Sequence, residues 1–312
     1  MKTLRQCIGY LIAGILLYFL IKPFLQTHTA VKDATFEIYW GWLLCSFGTI
    51  LFYWSAYLYP FATLLEGLTG SRVSFRDAFT LFHLANITRY LPGRIWGVVR
   101  LLSLSRRFGL SKTAVGSSLT GHVGIETAIG GLIALSLLFS KQMRQIATAV
   151  LETFSGQTFL LTVVVMGCLA SVVFLIPQLS DHARQFLKTV APLLGNVRLL
   201  ANVLTCHCLL WLCQGFAFFL FVRSFAPVQW ADVGVLTACF AFAWVVGFLS
   251  FLTPGGLGIR EGLLGVLLAN YMPETQATFL ALVCRLWMLS AEILLAVIAF
   301  WIDRKMRCPS NT

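Results

Sequence analysis

Charged residues are scarce in this 312-residue chain: they make up 11% of it, whereas a soluble domain carries about 25%. Acidic residues are the scarcer kind, with 12 Asp and Glu against 23 Lys and Arg. So few charges cannot cover the surface of a soluble protein of this length. Because 58% of the residues are hydrophobic and the mean hydropathy is +0.83, we predict an integral membrane protein.

Motifs for nucleotides and metals are also missing from the sequence. No G-x-x-x-x-G-K-[ST] loop is present to cradle phosphates. The densest cysteine group, Cys206, Cys208 and Cys213 around His207, falls within one apolar stretch. Zinc sites instead use cysteine pairs with a turn between them. We therefore expect no cofactor, no metal and no nucleic-acid partner.

Long apolar runs account for most of the chain. Six of them approach the roughly 20 residues that cross a bilayer, and two further stretches, 77–104 and 231–271, are interrupted by Pro and Gly. The expected fold class is an all-α polytopic membrane protein with six to eight transmembrane helices, forming a single domain over residues 1–312. The six runs lie near 7–25, 38–59, 113–140, 156–177, 199–222 and 277–302.

The distribution of basic residues predicts the orientation in the membrane. If the N-terminus is cytoplasmic and the two interrupted stretches are re-entrant, most of the 23 Lys and Arg fall in cytoplasmic segments. Lys2 and Arg5 precede an apolar run that lacks a small-residue cleavage site, which favours a retained helix. We expect a multi-pass protein of the cell (inner or plasma) membrane with both termini in the cytoplasm.

Two segments of the sequence resemble each other. The pattern V-x-aromatic-x-D occurs at 73–77 and again at 228–232, and each copy is followed by an apolar stretch and a Pro-Gly pair. The charge distribution places Asp77 on the cytoplasmic side and Asp232 on the outer side. Inverted repeats with broken helices are a recurring plan of secondary transporters. We predict such a repeat, with halves at approximately 7–140 and 156–302.

The Pro-Gly pairs predict two broken or re-entrant hairpins. Exposed backbone is tolerated at membrane depth only where protein or a polar cavity satisfies it, so the breaks indicate an internal substrate site. The alternative is an ordinary loop between complete helices, and for 231–271 the stretch 231–252 could span and 256–272 return. The glycines and prolines assigned to the site are Pro92, Gly93, Gly97, Pro254, Gly255, Gly256 and Gly258.

Charged residues near the breaks are candidates for substrate binding. An arginine beside exposed backbone N–H groups suits phosphate, which predicts this role for Arg94, Arg100 and Arg260. Glu261 would orient Arg260 or take a cationic headgroup. Glu126 and Arg285 lie at nearly equivalent distances after the two breaks, so we expect them to pair across the repeat. His122 shares a helix face with Glu126, which leaves a proton relay or a structural histidine open.

Three runs carry a resemblance to a known family: N-I-T-R-Y-L-P-G-R-I-W-G-V-V-R (86–100), G-H-V-G-I-E-T-A-I-G (121–130) and F-L-T-P-G-G-L-G-I-R-E-G (251–262). The chain resembles the lysylphosphatidylglycerol synthase transmembrane-region family of flippase-like membrane proteins. The resemblance covers roughly 70–305, and P-G-G-L-G-I-R-E is its most specific part. It implies a lipid-handling membrane domain without the soluble aminoacyl transferase that some members carry.

The function expected from these observations is transport rather than catalysis. The protein would move or present an anionic lipid, phosphatidylglycerol-type or polyprenyl-phosphate-linked, across the membrane. The acids are too scattered to form an evident catalytic pair, so we expect no enzyme activity. The alternatives are an intramembrane lipid-modifying transferase and a non-transporting partner of an envelope-synthesis complex. The expected partners are the anionic lipid, the bilayer and envelope-synthesis proteins.

Overall fold

The computed structural model of the chain describes residues 37–70, 72–90, 96–139, 195–249 and 258–307. Within these ranges all regular secondary structure is helical and no strand occurs. Several of these helices are long and apolar enough to cross a bilayer. The predicted class, an all-α polytopic membrane protein, is confirmed.

The described part of the first half contains helices α1 to α5. Their bounds are α1 Trp40–Ala56, α2 Leu58–Thr69, α3 Phe75–Asn86, α4 Trp96–Ser105 and α5 Lys112–Leu135. Pro60 explains the break between α1 and α2, because it has no N–H for the carbonyl of the residue four before it. Ser111 starts α5, and its hydroxyl accepts a hydrogen bond from the Ala114 N–H at 3.0 Å.

The described part of the second half contains helices α6 to α9. Their bounds are α6 Val197–Arg223, α7 Val233–Leu249, α8 Ile259–Leu268 and α9 Glu274–Arg307. The Asn196 side chain caps α6 by accepting a hydrogen bond from the Leu199 N–H at 3.1 Å.

The stretches of spanning length agree with four predicted runs and add one. They are Trp40–Thr69, Lys112–Leu135, Val197–Arg223, Trp230–Leu249 and Glu274–Lys305. The first is longer than the predicted 38–59, because the helix continues as α2 after the break at Pro60. The predicted runs 7–25 and 156–177 lie outside the described residues.

The two interrupted stretches differ from each other. In the first, α3 has 12 residues and α4 has 10, so each is about 15–18 Å long and too short to cross a bilayer. In the second, the stretch that ends with α7 is of spanning length, whereas α8 has only 10 residues. The two copies are therefore unequal, with the longer helix in the second.

Helix packing joins the two halves crosswise. The last helix of the first half, α5, packs on α7 of the second half, while α9 of the second half packs on α3 of the first. The long helices α1 and α6 pack directly against each other. That the two halves are related as a repeat stays a prediction. Their opposite orientation in the membrane stays a prediction.

Candidate functional site

A cavity of about 400 Å³ lies between the two halves of the protein. Residues of α3, α4 and α5 from the first half and of α7, α8 and α9 from the second half line it. Most of the lining is apolar, as in many ligand pockets. The polar side chains of the lining include Tyr57, Asn86, His122, Glu126, Arg260, Arg285 and Glu292.

Four of the predicted site residues line this cavity: Gly97, Glu126, Arg260 and Arg285. Two others that the structure describes are exposed and do not line it, namely Arg100 on α4 and Gly258 before α8. Their assignment to the substrate site stays a prediction. The predicted residues Pro92, Gly93, Arg94, Pro254, Gly255 and Gly256 lie outside the described residues.

Gly258 serves the site by starting helix α8. Its φ of +89° is a conformation that residues with a side chain rarely adopt, so a glycine is required here. The Gly258 N–H donates a hydrogen bond to Glu261 Oε2 at 2.8 Å, which satisfies one of the open donors at the helix start. Arg260 and Glu261 follow on the first turn of α8.

Arg285 forms an ion pair with Glu261 rather than with Glu126. Its Nη1 lies 2.5 Å from Glu261 Oε1, and the two side chains are 12% and 7% exposed. The predicted pairing of Glu126 with Arg285 is therefore wrong. The role predicted for Glu261, to orient Arg260 or to take a cationic headgroup, stays a prediction. Glu261 is shared between Arg285 and the Gly258 N–H, which connects the start of α8 to α9.

Glu126 is held by two tyrosines that flank the end of α1. The Tyr57 hydroxyl donates to Glu126 Oε2, and the Tyr53 hydroxyl donates to Oε1 at 3.4 Å. The Trp211 indole N–H on α6 donates to the Glu126 backbone carbonyl at 3.0 Å. Glu126 is 4% exposed, so the two tyrosine hydroxyls stabilise a carboxyl group that water scarcely reaches.

Arg260 contacts a sulfur atom and an aromatic ring in the wall of the cavity. Its Nη2 lies 2.8 Å from the Met288 sulfur, and its guanidinium carbon lies 5.0 Å from the centre of the Phe240 ring. A sulfur and an aromatic face therefore lie beside this guanidinium in the wall of the cavity.

Asn86 and Glu292 form a further polar contact in the wall of the cavity. Asn86 Nδ2 on α3 donates to Glu292 Oε2 on α9 at 3.0 Å, and Glu292 is 2% exposed. This contact joins α3, in the first interrupted stretch, to α9. In the described ranges no three metal-ligating side chains converge as a metal site would require.

Sequence reasoning did not assign Tyr53, Tyr57, Asn86 or Met288 to the site. Tyrosine and asparagine are common at membrane depth without a functional role, so composition alone gave no signal for them. One local signal exists for Tyr57: Pro60, three residues later, predicts a helix break in the turn that precedes it. That break is where the Tyr57 hydroxyl meets Glu126.

Comparison with known proteins agrees with this architecture. The chain matches the family model described as lysylphosphatidylglycerol synthase TM region over residues 6–296, which confirms the resemblance seen in the sequence. No curated protein matches the chain at a significant level, and no solved structure does. The match covers nearly the whole chain, so the chain belongs to the lysylphosphatidylglycerol synthase transmembrane-region family.

Proposed function

We propose that this membrane protein moves or presents an anionic lipid, phosphatidylglycerol-type or polyprenyl-phosphate-linked, across the bilayer, and that it is not an enzyme. The observation that carries the proposal is the cavity between the halves, a mostly apolar pocket whose lining includes the cationic side chain of Arg260. Membership of a family named for a lipid-modifying synthase supports a lipid as the substrate.

The chemistry of the cavity suits a phosphate-bearing headgroup. A guanidinium is always charged and offers paired N–H donors that match the oxygens of a phosphate. A volume of about 400 Å³ falls in the range of small-molecule pockets, so it suits a headgroup rather than a whole lipid. The acyl or prenyl chains would remain in the surrounding bilayer.

The remaining cavity charges would select among headgroups. Arg285 is neutralised by Glu261, so it contributes little net attraction. Glu126 and Glu292 place carboxylates on the opposite helices of the lining, α5 and α9. They would accept hydrogen bonds from hydroxyl or ammonium groups of a headgroup whose phosphate lies at Arg260.

The proposed location is the cell membrane, with both termini in the cytoplasm. The argument is the excess of Lys and Arg in the predicted cytoplasmic segments, among them the exposed Arg76, Arg106 and Arg304. In this orientation the cytoplasmic mouth would attract anionic lipids from the inner leaflet.

The test is lipid movement in liposomes that contain the purified protein. Fluorescent phosphatidylglycerol and a short polyprenyl phosphate are compared, and the fraction of each that crosses between leaflets is measured by quenching from outside. We expect movement of one or both lipids, and a reduction of at least about tenfold in Arg260→Ala, since a charge-assisted contact contributes roughly 1.5–3 kcal/mol. Arg198→Ala is the matched control, because Arg198 is an exposed arginine at the start of α6.

Each other outcome points to a different function. Equal loss in Arg198→Ala and Arg260→Ala would show that overall charge, not the cavity, governs movement. No movement of either lipid by folded protein would contradict transport and favour a partner subunit of an envelope-synthesis complex. A chemically altered lipid in the same liposomes would favour the transferase alternative.

A further inference from the structure

Two buried histidines form a hydrogen-bonded pair beside the cavity. His122 on α5 is fully buried and lines the cavity, and His207 on α6 is 1% exposed. His207 Nε2 lies 3.0 Å from His122 Nδ1, and His207 Nδ1 lies 2.8 Å from the Val203 carbonyl oxygen. The pair therefore connects the wall of the cavity to the backbone of α6.

The contacts of the pair assign the protons on both rings. A carbonyl oxygen only accepts, so His207 Nδ1 carries a hydrogen, and in the neutral ring its Nε2 is an acceptor. His122 Nδ1 must then donate to His207, which leaves His122 Nε2 as an acceptor. That nitrogen is buried and has no hydrogen-bond partner. A buried acceptor without a partner has a cost that a proton or a ligand donor would remove.

Among the described residues, aromatic side chains and a few titratable groups surround His122. Tyr57 packs its ring edge-on against His122, with centroids 4.5 Å apart, and Phe61 and Phe82 complete the aromatic wall. Glu126 lies one turn further along α5 and accepts hydrogen bonds from Tyr57 and Tyr53. Across the cavity the ionisable groups are Arg260 on α8 with Arg285 and Glu292 on α9.

We propose that His122 takes up one proton at Nε2 when an anionic headgroup enters the cavity, so that the protein binds its lipid and a proton together. This inference rests on the proposed function, because it requires an anionic ligand. A neutral His122 presents a lone pair, which repels a phosphate oxygen. The protonated ring carries N–H at both nitrogens and a positive charge, so it attracts the same oxygen.

The proposal balances in charge and in protons. One proton from a buffer acid adds to the Nε2 lone pair, its bond in that acid breaks and the conjugate base stays in solution. The new imidazolium offsets one negative charge of the phosphate. His207 keeps its acceptor nitrogen for the His122 Nδ1–H, so the pair stays connected in both states. By thermodynamic linkage, the bound ligand raises the affinity for the proton by the same factor as the bound proton raises the affinity for the ligand.

The experiment is calorimetric titration of the purified full-length protein in detergent with the soluble lipid dihexanoyl-phosphatidylglycerol. Titrations near pH 7 in two buffers of different ionisation enthalpy measure the number of protons taken up for each lipid bound. We expect an uptake that approaches one proton, and an affinity that weakens by up to about tenfold for each unit of pH increase.

Variants show which group takes the proton. His122→Gln should bind the lipid more weakly, without proton uptake and with little dependence on pH. His83→Gln is the matched control and should behave as wild type, because His83 on α3 is equally buried, has an unpartnered Nε2 and does not line the cavity. Glu126→Gln should keep the uptake, since Glu126 is not the proposed proton site.

The outcomes separate this inference from the proposed function. Wild-type binding without proton uptake would overturn the inference and leave the proposed function intact. Uptake that persists in His122→Gln and disappears in Glu126→Gln would assign the proton to Glu126 and also overturn it. Absence of lipid binding by folded wild-type protein would contradict the proposed function and the inference together. Where a variant does not fold, absence of proton uptake by the wild-type protein still overturns the inference.

Discussion

At the scale of single residues, Arg285 and Glu261 are opposite charges held almost entirely away from water. Removing one partner of a buried pair leaves the other charge uncompensated, at a cost of about 3–5 kcal/mol. We therefore expect Arg285→Glu to lose most of its folded protein, and Arg285→Glu combined with Glu261→Arg to recover part of it. The measurement is the yield of monodisperse protein and its melting temperature in detergent.

The matched control swaps the same arginine with the other candidate partner. Glu126→Arg combined with Arg285→Glu should not recover folded protein, because the Glu126 carboxyl is bonded to Tyr57 and Tyr53 rather than to Arg285. Recovery by this swap, together with failure of the swap at Glu261, would contradict the ion pair seen in the structure.

The same residues show what the sequence could predict at this scale. Charges at membrane depth are costly, so Glu126, Arg260 and Arg285 could be assigned to an internal site, and all three line the cavity. Their partners could not be predicted, because spacing from the Pro-Gly breaks gives depth along the membrane normal but not the direction in which a helix face points. Glu261 lies 24 residues from Arg285 along the chain and reaches it only through the packing of α8 on α9.

At the scale of helices, Gly130 allows α5 and α6 to approach closely. A Cβ at Gly130 would lie 2.3 Å from Trp211 Cζ2, and Trp211 is a large, rigid and buried side chain. We expect Gly130→Ala to destabilise the protein by about 1–3 kcal/mol through overpacking, and to displace the indole that binds the Glu126 carbonyl. Thermal unfolding monitored by Trp fluorescence is the measurement.

Gly131 is the control at the next position of the same helix. A Cβ there meets no atom within 4 Å, so Gly131→Ala should be neutral or should stabilise the helix by up to about 1 kcal/mol. If both variants lower the melting temperature equally, the effect comes from the flexibility of α5, and the close approach to Trp211 is not its cause.

Helix bounds were easier to predict than helix breaks. The apolar runs predicted α5, α6 and α9 to within a few residues, because length and hydropathy together define a membrane-spanning helix. The break before Leu58 was missed, since the apolar character of 38–59 continues through it and hides the effect of Pro60. That break matters to the site, because Tyr57 lies at the junction and binds Glu126.

At the scale of the whole molecule, the helices that pack between the two halves also line the cavity. Because α5 packs on α7 and α9 packs on α3, the last helix of each half contacts an interrupted stretch of the other. The polar contacts follow the same plan, with Asn86 on α3 bound to Glu292 on α9. A shift of one half relative to the other would therefore change the cavity lining on all sides at once. Transporters built from inverted repeats alternate their access by such shifts.

The inverted orientation of the halves is itself testable through the two V-x-aromatic-x-D segments. Arg76 and Ala231 are both exposed next to the aspartates of these segments, Asp77 and Asp232. In a background without the nine native cysteines, we expect Ala231→Cys to react with a membrane-impermeant maleimide in intact cells. Arg76→Cys should react only after the cells are permeabilised, because the basic residues around it favour the cytoplasm.

Labelling of both cysteines from the same side would contradict the inverted repeat, whereas the cavity and its ion pair would stand unchanged. Labelling with the two sides exchanged would keep the repeat and reverse the proposed direction in which the cytoplasmic mouth gathers anionic lipids.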